Sequence, residues 1–288
     1  DAADGKGGIE EHDAGPHLVG EGVDAPGQSA RRQEHGALGA LELQGRKTFE
    51  KLHAGGDTSE PIVYGLALSL ITPFSSGSLG GPGSGLDDFQ KAADLLRPLV
   101  YGPGGSRRVK LTYADILHGV SYWKQSSEDG IAVCEESRKI LAGLGALDLS
   151  DLTATSHYAD VADTQVRLLT RLRRFDEAER LEQEVYDLVE KALTKRPGDI
   201  RSMGNRFYAA EQLSTIAIAR HDYSAAARYA ARSEQAGEEV VRFNPSDPGL
   251  WSLWARGRFR VAIAHAQQGE VDRAIDALRS AAALRDDP

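Results

Sequence analysis

The feature that most restricts how this chain can fold is a period of 48 residues. Phe175, Tyr223 and Val271 stand 48 apart, and Ala178, Ala226 and Ala274 follow each of them by three. The marks around them recur at the same interval, with Asp151, Asp199 and Asp247 on one side and Pro197 and Pro245 on the other. A fixed period of this size means that one supersecondary unit is stacked on copies of itself. Each copy covers the apolar face that its neighbour leaves open.

Each unit reads as two helices. The aspartate precedes the first, where a carboxylate accepts hydrogen bonds from free backbone N–H groups. The second begins at the aromatic-x-x-Ala pair, whose small alanine lets the two helices approach while Phe175, Tyr223 or Val271 fills the space at the turn. Proline then stops the second helix, because it has no N–H and clashes with the preceding turn. Three such units are predicted over 150–288.

Upstream the pattern loosens. Leu86, Phe89, Ala93, Leu96 and Val100 follow helical spacing, and Phe89 with Ala92 repeats the aromatic-x-x-Ala pair, marking the start of an imperfect unit. "VKLTYADILHGVSYW" and "EDGIAVCEESRKILAGL" predict a further pair with Ser126 and Ser127 in the turn, so that 86–149 forms degenerate repeats. Residues 61–85 read as a short apolar helix and a Gly/Ser-rich linker. The most apolar run, 62–74, has 13 residues and falls short of the roughly 20 that span a bilayer. Residues 1–60 hold 12 of the 31 glycines and one aromatic, Phe49, with no sustained period. They cannot bury enough apolar surface to offset the entropy of ordering, and a disordered or weakly structured segment is predicted there.

The alanines at 178, 226 and 274, the aromatic residues before them, the closing prolines and Gly269-Glu270-Val271 at the turn resemble the tetratricopeptide repeat (TPR) family. The likeness covers 150–288 well and 86–149 loosely. The unit departs in length, since that family's repeat is about 34 residues. It also departs at the family's Leu-Gly pair, where Val166, Ser214 and Ala262 stand here. The resemblance implies an all-α, right-handed α-solenoid of antiparallel helix pairs whose first helices line a concave groove. Long units of this kind are also similar to repeat regions of bacterial signalling proteins.

A formal charge of −9 excludes a general nucleic-acid binder, which needs a basic face to displace counterions. Cys134 is the lone cysteine, so no intrachain disulfide or cysteine zinc site can form. It sits among Ile131, Ala132 and Ile140 as a small core residue. No His-Glu-x-x-His helix and no G-x-S-x-G elbow occurs. His118, His157, His221 and His265 stand without ligand-spaced partners, and the spacings of His17, His35 and His53 match no metal motif. The acids of "FDEAERLEQEVYDLVEK" read as a solvated helix face, paired at i,i+4-type spacing with Arg180, Lys191 and Lys195.

A non-catalytic interaction scaffold is therefore expected, binding a protein or peptide segment, with no cofactor, metal, nucleic acid or membrane partner and a bacterial cytoplasmic location. The alternative is the regulatory C-terminal portion of a larger bacterial signalling enzyme, such as a protein kinase, with catalysis on another domain. Asp160, Arg167 and Arg171 share one face of a first helix, and Tyr208, Glu211 and Thr215 form the matching face one unit later. These six are the expected partner-binding residues, the two arginines gripping acidic side chains or a terminal carboxylate.

Overall fold

A computed structural model describes residues 44–75, 85–103, 105–124 and 128–286. Among them every regular element is a helix: α1 (44–54), α2 (Glu60–Ser75), α3 (Leu86–Tyr101), α4 (Arg107–Trp123), α5 (Glu128–Gly143), α6 (Leu152–Arg171), α7 (Phe175–Lys195), α8 (Ile200–Ala219), α9 (Tyr223–Phe243), α10 (Pro248–Gln267) and α11 (Val271–Asp286). Most of the segment read as disordered, the Gly/Ser linker and the Ser126–Ser127 turn lie outside the described residues.

The 48-residue period is the period of the helix starts. First helices begin at Leu152, Ile200 and Pro248, and second helices begin at Phe175, Tyr223 and Val271. Asp151 accepts from the Thr153 and Ala154 amides, Asp199 from Ser202 and Asp247 from Gly249, so each first helix has its side-chain cap. The second helices end two residues before Pro197 and Pro245.

The turns within the units share a feature the sequence discloses at one place only. Arg173, His221 and Gly269, again 48 apart, adopt left-handed backbone at φ 60°, 61° and 78°. The next amide in each case, of Arg174, Asp222 or Glu270, bonds back to Leu169, Ala217 or His265 at 2.9 Å. Such closures satisfy the last carbonyls of a helix and favour glycine at the left-handed position.

Consecutive helices pack against each other, and in addition α4 touches α6, α6 touches α8 and α8 touches α10. The even helices therefore form an inner row and α5, α7, α9 and α11 an outer one, an α-solenoid of stacked antiparallel pairs. One contiguous apolar cluster runs from Ala114 in α4 to Leu253 in α10. Ala178 and Ala226 are fully buried and Ala274 nearly so, as expected where paired helices meet. α9 and α10 approach closely at two glycines. A Cβ at Gly237 would lie 2.8 Å from the Trp254 Cα, and one at Gly257 would lie 2.6 Å from the Glu234 Cα.

Two readings of the upstream region change. Val63, Ala67 and Leu70 of α2 share a core with Phe89, Ala92, Ala93 and Leu96 of α3. The apolar run of 62–74 thus pairs with α3, and Phe89–Ala92 belong to the second helix of that pair rather than opening a unit. Residues 44–54 also form a helix, with the Phe49 ring lying over Gly65, where a Cβ would be 2.5 Å from the ring. That helix has one aromatic and docks it on a notch in another helix, which periodicity within 44–54 does not disclose. Cys134 is buried in the core, and burial pushes its thiol up to about 11.

Candidate functional site

Helical spacing of three and four places Asp160, Asp163, Thr164 and Arg167 on one stripe of α6. Contact between α6 and α8 sets that stripe opposite Tyr208, Glu211 and Gln212. His118 of α4, Glu182 of α7 and Arg256 of α10 complete the walls, and together they enclose a cavity of about 370 Å³ in the inner row.

Polar side chains link the inner helices across this site. Arg201 of α8 donates to Asp160 at 2.6 Å and lies 3.1 Å from His157, whose other ring nitrogen meets Asp115 of α4. Arg167 holds Asp163 at 2.7 Å and donates to the Thr164 hydroxyl at 2.8 Å, while that hydroxyl also meets His118 at 2.8 Å. Burial lowers the His118 pKa. Glu211 is buried and receives both Arg256 and Arg260, the latter at 2.9 Å.

Two carboxyls are less well served. Asp163 Oδ1 and both Oε atoms of Glu182 are buried without a hydrogen-bond partner among the described residues. Burial raises the Asp163 pKa against the pull of Arg167. Burial also holds Glu182 well above the usual carboxylate range, and the Asp163 charge pushes it further the same way. Such surroundings disfavour the charged form of a carboxyl, and a nearby cation favours it.

Of the six residues expected from sequence, Asp160, Arg167, Tyr208 and Glu211 line this cavity. Arg171 lines a smaller neighbouring one of about 180 Å³ together with Arg167 and Tyr122. Thr215 lines neither, and its hydroxyl donates to the Glu211 carbonyl. Arg167 is already engaged by Asp163, so it could grip an incoming acid only by releasing its own. His118, which in sequence has no spaced partner, finds Thr164 across the helix row. The solvated-face reading of 175–191 fails at Glu182, which is fully buried. The signal was present in the register: 48 residues on stands Ala230, itself fully buried.

A wider cavity of about 540 Å³ lies between the outer helices, beside Tyr186, Arg206 and Arg232. Its charges answer one another: Arg206 meets Glu239 and Glu190, and Arg232 lies over the Tyr186 and Tyr229 rings. The inner cavity is where acceptors remain unanswered.

No protein-family model matches the chain, and no curated protein matches it in sequence. Seven solved chains match it in structure. Among them is the crystal structure of BtubC (BKLC) from P. vanneervenii, with a TM-score of 0.58 and 15% identity over 85% of this chain and 89% of that one. The fold is shared. At that identity the likeness extends to the helical architecture alone. Among the described residues, no helix is long and apolar enough to cross a membrane.

Proposed function

We propose that this chain is a non-catalytic, tetratricopeptide-like interaction module that holds a peptide or a segment of a partner protein along its inner helix row. The inner cavity carries this proposal. It has the size of a small binding pocket, it is walled by helices from successive pairs, and it combines an aromatic ring with charges of both signs. Tyrosine and arginine in such a setting are the residues on which interfaces most often depend. The 48-residue unit with its aromatic-x-x-Ala pair and proline stop supports the kinship with tetratricopeptide repeats.

The test is a display selection of short random peptides on the full chain, followed by hydrogen exchange with and without a selected peptide. Protection is expected on the inner faces of α6 and α8. Tyr208→Ala is expected to weaken capture about tenfold or more, and Arg232→Glu in the outer cavity to leave it unchanged. A selection that enriches nothing, or protection confined to α7 and α9, refutes the proposal.

A further inference from the structure

Glu182 occupies a place where the repeat has no use for a carboxyl. The same register position one unit later is Ala230, which is fully buried, so packing there is satisfied by an apolar side chain; two units later it is Leu278, which is exposed. Glu182 is nonetheless fully buried and is among the residues lining the cavity, with neither carboxyl oxygen hydrogen-bonded by any described residue. Asp163 Oδ1, buried in the same wall, makes no hydrogen bond of ordinary length, although the Gln212 side chain beside that carboxyl pulls its pKa down.

The charges around the cavity show what is missing. Asp160 has Arg201, Asp163 Oδ2 has Arg167, and Glu211 has Arg256 and Arg260. With those pairs accounted for, the remaining acceptors are the two Glu182 oxygens and one of Asp163. A wall with unpaired carboxyl oxygens suits a group that is all donor: an ammonium brings three N–H bonds and a guanidinium five. Among the described residues, no group of three or more His, Cys, Asp or Glu side chains is placed to hold a metal ion.

We propose that Asp163 and Glu182 form the receptor for a cationic side chain, so that the bound peptide inserts an arginine or lysine head into this cavity. This rests on the peptide-holding role proposed above and specifies the chemistry of the ligand. On entry the cation forms hydrogen bonds to Glu182 and Asp163 Oδ1, and Glu182 releases its proton to the buffer. An acidic side chain is rejected at the same place by like charge.

The experiment uses the same random-peptide selection on the full chain. Selected peptides are expected to share one arginine or lysine. Replacing that residue by uncharged citrulline or norleucine, with the protein untouched, should weaken binding about tenfold or more. Glu182→Gln, with its melting temperature as the check on folding, should lose the preference for a basic residue. It should also lose the proton release that calorimetry detects in buffers of different ionisation heat. Peptides selected without a shared basic residue, citrulline or norleucine peptides that bind equally, or a preference kept by Glu182→Gln overturn the inference while leaving peptide binding standing. A selection that enriches no peptide overturns both. Arginine amide binding as tightly as the selected peptide overturns the peptide origin of the cation and assigns the cavity to a free organic cation.

Discussion

Gly257→Ala and Gly204→Ala are the same substitution in two inner helices, and opposite outcomes are expected. At Gly257 the new Cβ would stand 2.6 Å from the Glu234 Cα, where ordinary contact begins near 3.4 Å. The obstacle is backbone, so α9 and α10 must separate by about 0.8 Å at that point. A gap of that order forfeits roughly a quarter to a half of each dispersion contact across a seam. Ala236 and Val240 of α9 share a core cluster with Leu253 of α10. Overpacking of this kind costs roughly 1–3 kcal/mol, and the better helix propensity of alanine returns less than about 1 kcal/mol. At Gly204 an added Cβ meets nothing within 4 Å, so only the propensity gain remains. Thermal unfolding followed by circular dichroism should show Gly257→Ala lowering Tm by about 2–8 °C and Gly204→Ala raising it by about 1–3 °C. A Gly257→Ala protein that melts at or above the wild-type temperature refutes the close approach of α9 and α10.

Arg173→Gly relieves left-handed backbone and should stabilise by about 0.5–1 kcal/mol in chemical denaturation. His221→Gly should gain less, because the His221 ring also meets the Tyr223 hydroxyl at 2.9 Å; equal losses at both sites would contradict the turn geometry. Ala226→Leu should destabilise by roughly 1–3 kcal/mol and Ala227→Leu by less, and an unchanged melting temperature at Ala226 would place that residue outside the helix pair. Glu182 has a raised folded pKa, so the folded state holds its proton more tightly than the unfolded one and stability falls as pH rises above the ordinary carboxyl value. Glu182→Gln should therefore be more stable than wild type at neutral pH, with the difference shrinking as pH drops toward that value; a difference that grows on acidification contradicts the burial of a protonated acid.

How far the sequence discloses this fold follows from where its regularities lie. The three downstream pairs were legible because aspartate caps, small alanines and prolines answer local needs of a helix end or a helix crossing, and those needs recur every 48 residues. The upstream pairs were blurred because α4 begins 45 residues before α6, which breaks the register by a turn fraction. Arg173 and His221 in left-handed backbone left no mark, since only Gly269 has the residue type that conformation favours. At the site, Asp160, Arg167, Tyr208 and Glu211 could be placed from helical spacing within α6 and α8. His118, Gln212 and above all Glu182 could not, because they reach the cavity from faces that only the packing of α4, α7 and α8 defines. A carboxyl in a column of alanine and leucine was the one written clue.

The helix contacts of α2 to α11 run between sequence neighbours and, in the inner row, between next-nearest helices. Mechanically, such a molecule is a row of links, each gripped by the link on either side. Opening can begin at an end and advance pair by pair, because losing one pair removes a single interface and leaves the others intact. The α10–α11 pair leaves Val271, Ile275 and Leu278 exposed, so it is expected to open early. The cavity draws its walls from α4 to α10, so anything lodged in it acts as a rivet through several links, and amide exchange in the middle of the row should slow before exchange at α11 does.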